Sequence, residues 1–289
     1  MLRALAVLLL VAVQDKPKDP PWVVPPKKPI PLLEHKTFKS AAMGVEVGYH
    51  LYLPPGYADE KDKRYPVIYW HHGMNCHESN DQFPAAILDK GIRDGKVPPL
   101  IMVYPNGGGK TFYCDSVDGT ALSETMIVKE FIPHVDASYR TIATREGRAL
   151  QGMSMGGFGV LKLAFKHPEL YSSVVAFAGG LIDEDQLEQR HPELLQRMFG
   201  GDKAKFAAET PMALAKAKAD TIKLPIRMIV GTKDFLLEHN RRMHKVLEDL
   251  KIPHEYEEIP EIAHNLPGLA AHEGTRTLEF AAKAFGPGK

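Results

Sequence analysis

Residues 148–165 read RALQGMSMGGFGVLKLAF. An apolar strand carrying Ala149 and Leu150 runs into Gly152-Met153-Ser154-Met155-Gly156. It then opens a helical run with Phe158, Val160, Leu161, Leu163 and Ala164. The pattern G-x-S-x-G is short enough to recur by chance. The strand before it and the helix after it make this copy specific, because that context is what a nucleophile elbow requires. A turn so sharp leaves no room for bulky flanks. Gly152 and Gly156 meet that need, and Gly157 adds further room. The turn lifts the Ser154 hydroxyl clear of the sheet, beside a helix N-terminus. The bland alternative is a glycine-rich strand–helix turn with a solvated serine.

Outward from this stretch the chain alternates. Short apolar, β-branched runs predict strands over Val45–Leu53, Tyr65–His71, Leu100–Tyr104, Ser173–Phe177, Ile226–Val230 and His254–Ile259. Helical stripes lie between and after them, over Phe83–Arg93, Leu122–Ser138, Met155–Phe165, Phe235–Leu250 and Gly274–Phe285. Alternation of this kind over more than 200 residues implies an α/β fold, a mostly parallel central sheet with helices on both faces. Residues 181–222 break the rhythm. They are charged and helical in pattern, and read either as an insertion capping a site or as a plain helical connection.

A serine needs a neighbouring base to act as a nucleophile at neutral pH. On such a sheet an acid and then a histidine follow the serine, in loops at the carboxyl ends of later strands. Asp234 directly follows the Ile226–Val230 strand in Gly231-Thr232-Lys233-Asp234. It can also serve as a helix N-cap. His264 lies five residues past Ile259, and position selects it from 13 histidines. An oxyanion hole requires two backbone N–H donors. Met155 follows the nucleophile, and the loop His71-His72-Gly73-Met74-Asn75 supplies the second, with Met74 the candidate donor and Gly73 allowing close approach. His71, His72 and His77 invite a metal reading. Adjacent strand residues point to opposite faces, so His71 and His72 do not share one ion, and no metal site is expected.

Lys+Arg and Asp+Glu number 36 each, and this zero formal charge argues against nucleic acid or an anionic membrane as the main partner. Met1-Leu2-Arg3 followed by the apolar run Ala4–Val13 reads as a signal peptide, too short to span a bilayer, so a secreted or periplasmic protein is expected. Residues 14–32, rich in Pro and Lys, read as an extended linker, with the folded domain over 33–289. Cys76 and Cys114 fall in loops after neighbouring strands. An exported chain allows them to pair, and two separate thiols remain the alternative.

These residues together resemble the esterase family of α/β-hydrolases that includes esterase D (S-formylglutathione hydrolase), feruloyl esterases, enterobactin-type esterases and the antigen 85 mycolyltransferases. The resemblance runs from about Phe38 to Phe285. Its marks are Tyr52-Leu53-Pro54-Pro55-Gly56-Tyr57, Tyr65-Pro66-Val67, His72-Gly73, Glu130-Phe131-Ile132-Pro133, the Gly152–Gly157 elbow, Gly231-Thr232-Lys233-Asp234 and His264-Asn265. It implies hydrolysis of carboxylic esters without a cofactor, on a small-molecule or polysaccharide-linked ester. Because of the export signal, the chain is more similar to the feruloyl and acetyl-xylan branch. By the same analogy Tyr113 and Asp115, with Gly73, line the substrate pocket. Tyr113–Ser116 is otherwise an ordinary turn. The competing readings are an acyltransferase or S-formylglutathione hydrolase-like thioesterase with the same nucleophile, and a non-catalytic binding module on the same fold.

Overall fold

The computed structural model describes residues 21–80 and 82–286. The region read as a signal peptide lies outside them. Eight strands form one sheet: β1 (Glu34–Ser40), β2 (Val45–Tyr52), β3 (Val67–His71), β4 (Ile101–Pro105), β5 (Arg148–Met153), β6 (Ser173–Phe177), β7 (Ile226–Gly231) and β8 (Glu255–Ile259). Their spatial order is β1-β2-β4-β3-β5-β6-β7-β8. The β1–β2 and β2–β4 pairs are antiparallel, and every pair from β4 through β8 is parallel. The parallel part thus delivers the ends of β3, β5, β6, β7 and β8 to one edge of the sheet.

The period of two along a strand sorts the core into two layers. Val67 and Tyr69 of β3 pack with Val103, Leu150 and Val174 on one face. Ile68 and Trp70 pack with Met102, Ala149 and Val175 on the other. Both layers are covered, which is why β3 to β7 are buried at every position.

Three elements differ from the sequence reading. β1 carries Glu34, Lys36 and Lys39, and charge on an exposed edge strand hides its period. The stripe over 122–138 is interrupted by a π-helical turn, Met126–Phe131, immediately before the helix Ile132–Ser138. Pro133 lacks the N–H that a regular helical register would use there, and the wider turn accommodates it. The last helical region is two helices, Leu266–Glu273 and Arg276–Ala284, separated by Gly274 at positive φ.

Residues 181–222 form four short helices, Glu184–Arg190, Pro192–Phe199, Lys203–Glu209 and Pro211–Lys218. Phe206 from this group stacks on Phe158 of the helix Met155–Lys166 at 5.9 Å. The described part of the Pro-rich segment has no helix or strand before β1, but it is not a free tether. Trp22 packs on the core, and its carbonyl accepts from Gly48 N–H at 2.7 Å. Val24 N–H donates to the buried Glu78 carboxylate at 2.5 Å. Cys76 is half-buried and Cys114 buried, and no disulfide joins them. No helix among the described residues is long and apolar enough to cross a membrane.

Candidate active site

Ser154 leaves the end of β5 at φ 59° and ψ −119°, and the helix Met155–Lys166 begins at the next residue. A non-glycine residue at positive φ is held there only by its surroundings. Ser154 N–H donates to Phe177 O at 3.0 Å, and Ser154 O accepts from Gly180 N–H at 2.6 Å and Phe158 N–H at 3.0 Å. The flanking glycines are obligatory. A Cβ on Gly156 would stand 2.0 Å from His71 O, and one on Gly152 would stand 2.8 Å from the Gly156 carbonyl. Both obstacles are backbone, so no rotamer change relieves them. Gly156→Ala is therefore expected to cost about 3 kcal/mol or more, read from urea unfolding of the purified variant.

Asp234 and His264 meet. His264 Nδ1 lies 2.8 Å from Asp234 Oδ2. The second Asp234 oxygen accepts from Leu236 N–H at 2.8 Å. That bond closes the turn ahead of the helix Leu237–Asp249, whose N-cap is Leu236 and carries no side-chain cap, so of the two roles that the sequence leaves as alternatives Asp234 takes the one beside the histidine. The carboxylate is wholly buried, whereas the imidazole is 23% exposed. The β8 loop is tied down where it carries the histidine: Lys233 N–H donates to Ile262 O at 3.0 Å and Glu261 N–H to Thr232 Oγ1 at 3.0 Å. Asn265 caps the following helix through Gly268 N–H. Phe235, 65% exposed, sets its ring 4.7 Å from the His264 ring.

The β3 loop lies against the elbow. A Cβ on Gly73 would come 3.5 Å from Ser154 Cβ, so this glycine faces the serine directly. Among the described residues, neither Met74 N–H nor Met155 N–H donates to a protein acceptor. Two unclaimed donors thus lie in the loop facing the serine and in the residue that follows it.

Tyr113 is closed off from solvent, whereas Asp115 is half-buried. Tyr113 is fully buried at φ 55°, stacked on His71 at 4.4 Å, with its hydroxyl donating to His72 O at 2.9 Å. It fills the space left by Gly107 and Gly159, where a Cβ would come within 2.3 Å of its ring. Tyr113 therefore supports the β3 loop from behind. Asp115 turns to Thr125, accepting from its N–H at 3.0 Å and its hydroxyl at 2.6 Å. The analogy reads only their chain position after β4, whereas the direction of the Tyr113 ring depends on the positive φ at Phe112 and Tyr113.

His71 and His72 are both buried, and burial depresses them to about 3 and about 4 respectively. The metal donors that do cluster among the described residues are Glu257, His272 and Glu273. Arg227 already holds both of these carboxylates, and Arg276 also pairs with Glu273 at 2.7 Å.

A family model described as "Putative esterase" matches residues 40–265. An esterase of Mycobacterium tuberculosis is 34% identical over 176 residues, 59% of this chain and 34% of that protein. A Xylanibacter ruminicola protein named endo-1,4-beta-xylanase/feruloyl esterase is 28% identical over 232 residues, 75% of this chain and 31% of that one. The chain thus spans about a third of the length of the curated relatives it matches. A solved ferulic acid esterase superposes with a TM-score of 0.75 at 22% identity, over 88% of this chain and 98% of that one. With the sheet order and the elbow already described, these likenesses lead to one statement: the chain belongs to this esterase family and has the α/β-hydrolase fold.

Proposed function

We propose that the protein is a secreted serine carboxylic ester hydrolase that works through an acyl-enzyme on Ser154, acting on feruloyl or acetyl esters of plant polysaccharide. The observation that carries this reading is the serine at positive φ with two unclaimed N–H groups, Met74 and Met155, in the segments beside it. In the first half-reaction the Ser154 oxygen attacks the ester carbonyl while His264 takes its proton. The two N–H groups hold the oxygen of the tetrahedral intermediate. Collapse expels the alcohol, which takes its proton from His264. Water then repeats the sequence on the acyl-enzyme. Asp234, buried and bonded to Nδ1, keeps the ring in the tautomer that leaves Nε2 free for the serine. The exposed face of Phe235 beside His264 gives the departing alcohol an apolar surface. The feruloyl choice rests on the feruloyl esterase name of one relative, and export rests on residues 1–13.

A fluorophosphonate probe followed by peptide mapping is expected to label Ser154 alone. A panel of methyl ferulate, acetylated xylan, S-formylglutathione and p-nitrophenyl acetate then sets the substrate. The expected order places methyl ferulate or acetylated xylan above the thioester. No labelling overturns the serine mechanism, and fastest turnover of S-formylglutathione overturns the polysaccharide ester.

A further inference from the structure

The β3 loop holds a histidine whose two ring nitrogens are both engaged. His72 Nδ1 lies 2.9 Å from Gly73 O, and Gly107 N–H donates to Nε2 at 3.0 Å. A carbonyl only accepts and an amide N–H only donates, so these partners fix one state: neutral, with the proton on Nδ1. Gly107 is itself immobilised. Its carbonyl accepts from the Thr111 hydroxyl at 2.6 Å and the Ser123 hydroxyl at 2.7 Å.

The consequence lies one peptide further along. In a trans peptide the N–H points opposite to the preceding C=O, and the described chain contains no cis bond. Holding the Gly73 carbonyl toward the His72 ring therefore turns the Met74 N–H the other way. Cys76 N–H also donates to Gly73 O, at 3.2 Å, and reinforces that orientation. Gly73 faces Ser154, so this peptide borders the nucleophile.

We propose that His72 is a positioning residue for the oxyanion hole: its ring, locked by Gly107, holds the Gly73 carbonyl and so aims the Met74 N–H at the developing oxyanion. The proposal rests on Ser154 being the nucleophile. It assigns His72 no contact with substrate and no proton transfer.

The test separates the two ring bonds. An asparagine amide reaches the place of Nδ1 and keeps the Gly73 bond. A glutamine amide reaches the place of Nε2 and keeps only the Gly107 bond. Removing one oxyanion donor costs about 10²–10³ in kcat. His72→Gln and His72→Phe are therefore expected to lose about 10²-fold in kcat with KM little changed. His72→Asn is expected to lose no more than about tenfold. Affinity for a boronic acid transition-state analogue falls in parallel with kcat/KM. A merely structural role predicts equal losses for Asn and Gln that track melting temperature, and that result overturns the proposal. So does a Gln variant within threefold of wild type. The wild-type fluorophosphonate adduct adds a measurement independent of variant folding. Its crystal structure is expected to place Met74 N about 2.7–3.1 Å from the phosphoryl oxygen, and a different donor there overturns the proposal. Wild-type labelling at Ser154 is the control: if it fails, the esterase mechanism falls; if it holds, the variants judge His72 alone.

Discussion

Ser154→Ala is expected to lose at least about 10⁴-fold in turnover of p-nitrophenyl acetate while remaining folded. The loss is large because no other group takes over. The serine oxygen forms the acyl bond, and with it gone only binding and the oxyanion donors remain to act on a water attack. The fold should survive because the bonds that hold this residue are made by its backbone. Its N–H on Phe177 O and its carbonyl under Gly180 and Phe158 do not use the hydroxyl. Alanine keeps the Cβ that already sits at φ 59°, so the strain is unchanged. The melting temperature is expected within about 2 °C of wild type. Initial rates, fluorophosphonate labelling and a thermal melt on one preparation check this. Turnover near wild type would sink the assignment.

What was legible in the sequence is what a period or a short pattern encodes. β5, the elbow and the helix Met155–Lys166 were plain because a fully apolar strand runs into glycines and then into a helical stripe. Chain order and position after the last two strands single out Asp234 and His264, and the fold brings them to 2.8 Å because β7 and β8 are parallel neighbours that deliver their following loops to the same edge. The supporting layer was not legible. The sequence places His72 in the oxyanion loop, but nothing in His71-His72-Gly73 announces that the Gly107 N–H, 35 residues away, faces its ring. Nor does the sequence announce that Tyr113 is wholly buried against this loop. Its direction depends on a run of positive φ at Phe112 and Tyr113 and on the room left by Gly107 and Gly159. The docking of Trp22 and Val24 was hidden by a composition that signals extended chain. Pro-rich segments are extended, but extension says nothing about whether a wall lies alongside. Here the wall includes the buried Glu78, which takes Val24 N–H, His35 and Asn106.

The least legible residue of this layer carries the second large expectation. Lys162, on the helix Met155–Lys166, has a fully buried side chain. Burial lowers its pKa, and Cys114, Glu209 and Glu124 around it more than reverse that, holding it above its ordinary range. Burial likewise pushes Glu124 up, and His167, Lys162 and Lys166 more than reverse it, leaving the carboxyl well below the usual range. Lys162 also donates to the Tyr113 carbonyl at 2.8 Å. One ammonium therefore joins three parts of the molecule: the helical turn Ser123–Thr125 through Glu124, the four-helix region through Glu209, and the strained turn behind the β3 loop. Lys162→Met fills the volume but removes the charge. Breaking a buried pair by one partner costs about 3–5 kcal/mol. The lower end is expected here, because Lys166 still reaches Glu124 at 3.0 Å and Glu209 at 2.8 Å. At this chain length that corresponds to a melting temperature lower by about 6–12 °C. The double variant Lys162→Met/Glu124→Gln should lose less than the sum of the two single changes, since neither charge is then stranded by the other's removal. Activity should fall as well, because the Tyr113 carbonyl loses its donor and Tyr113 is what stands behind His72. A thermal melt and a kcat measurement on the three variants decide it. Strict additivity together with an unchanged kcat would show that Lys162 acts as an isolated surface charge, contrary to its place in this core.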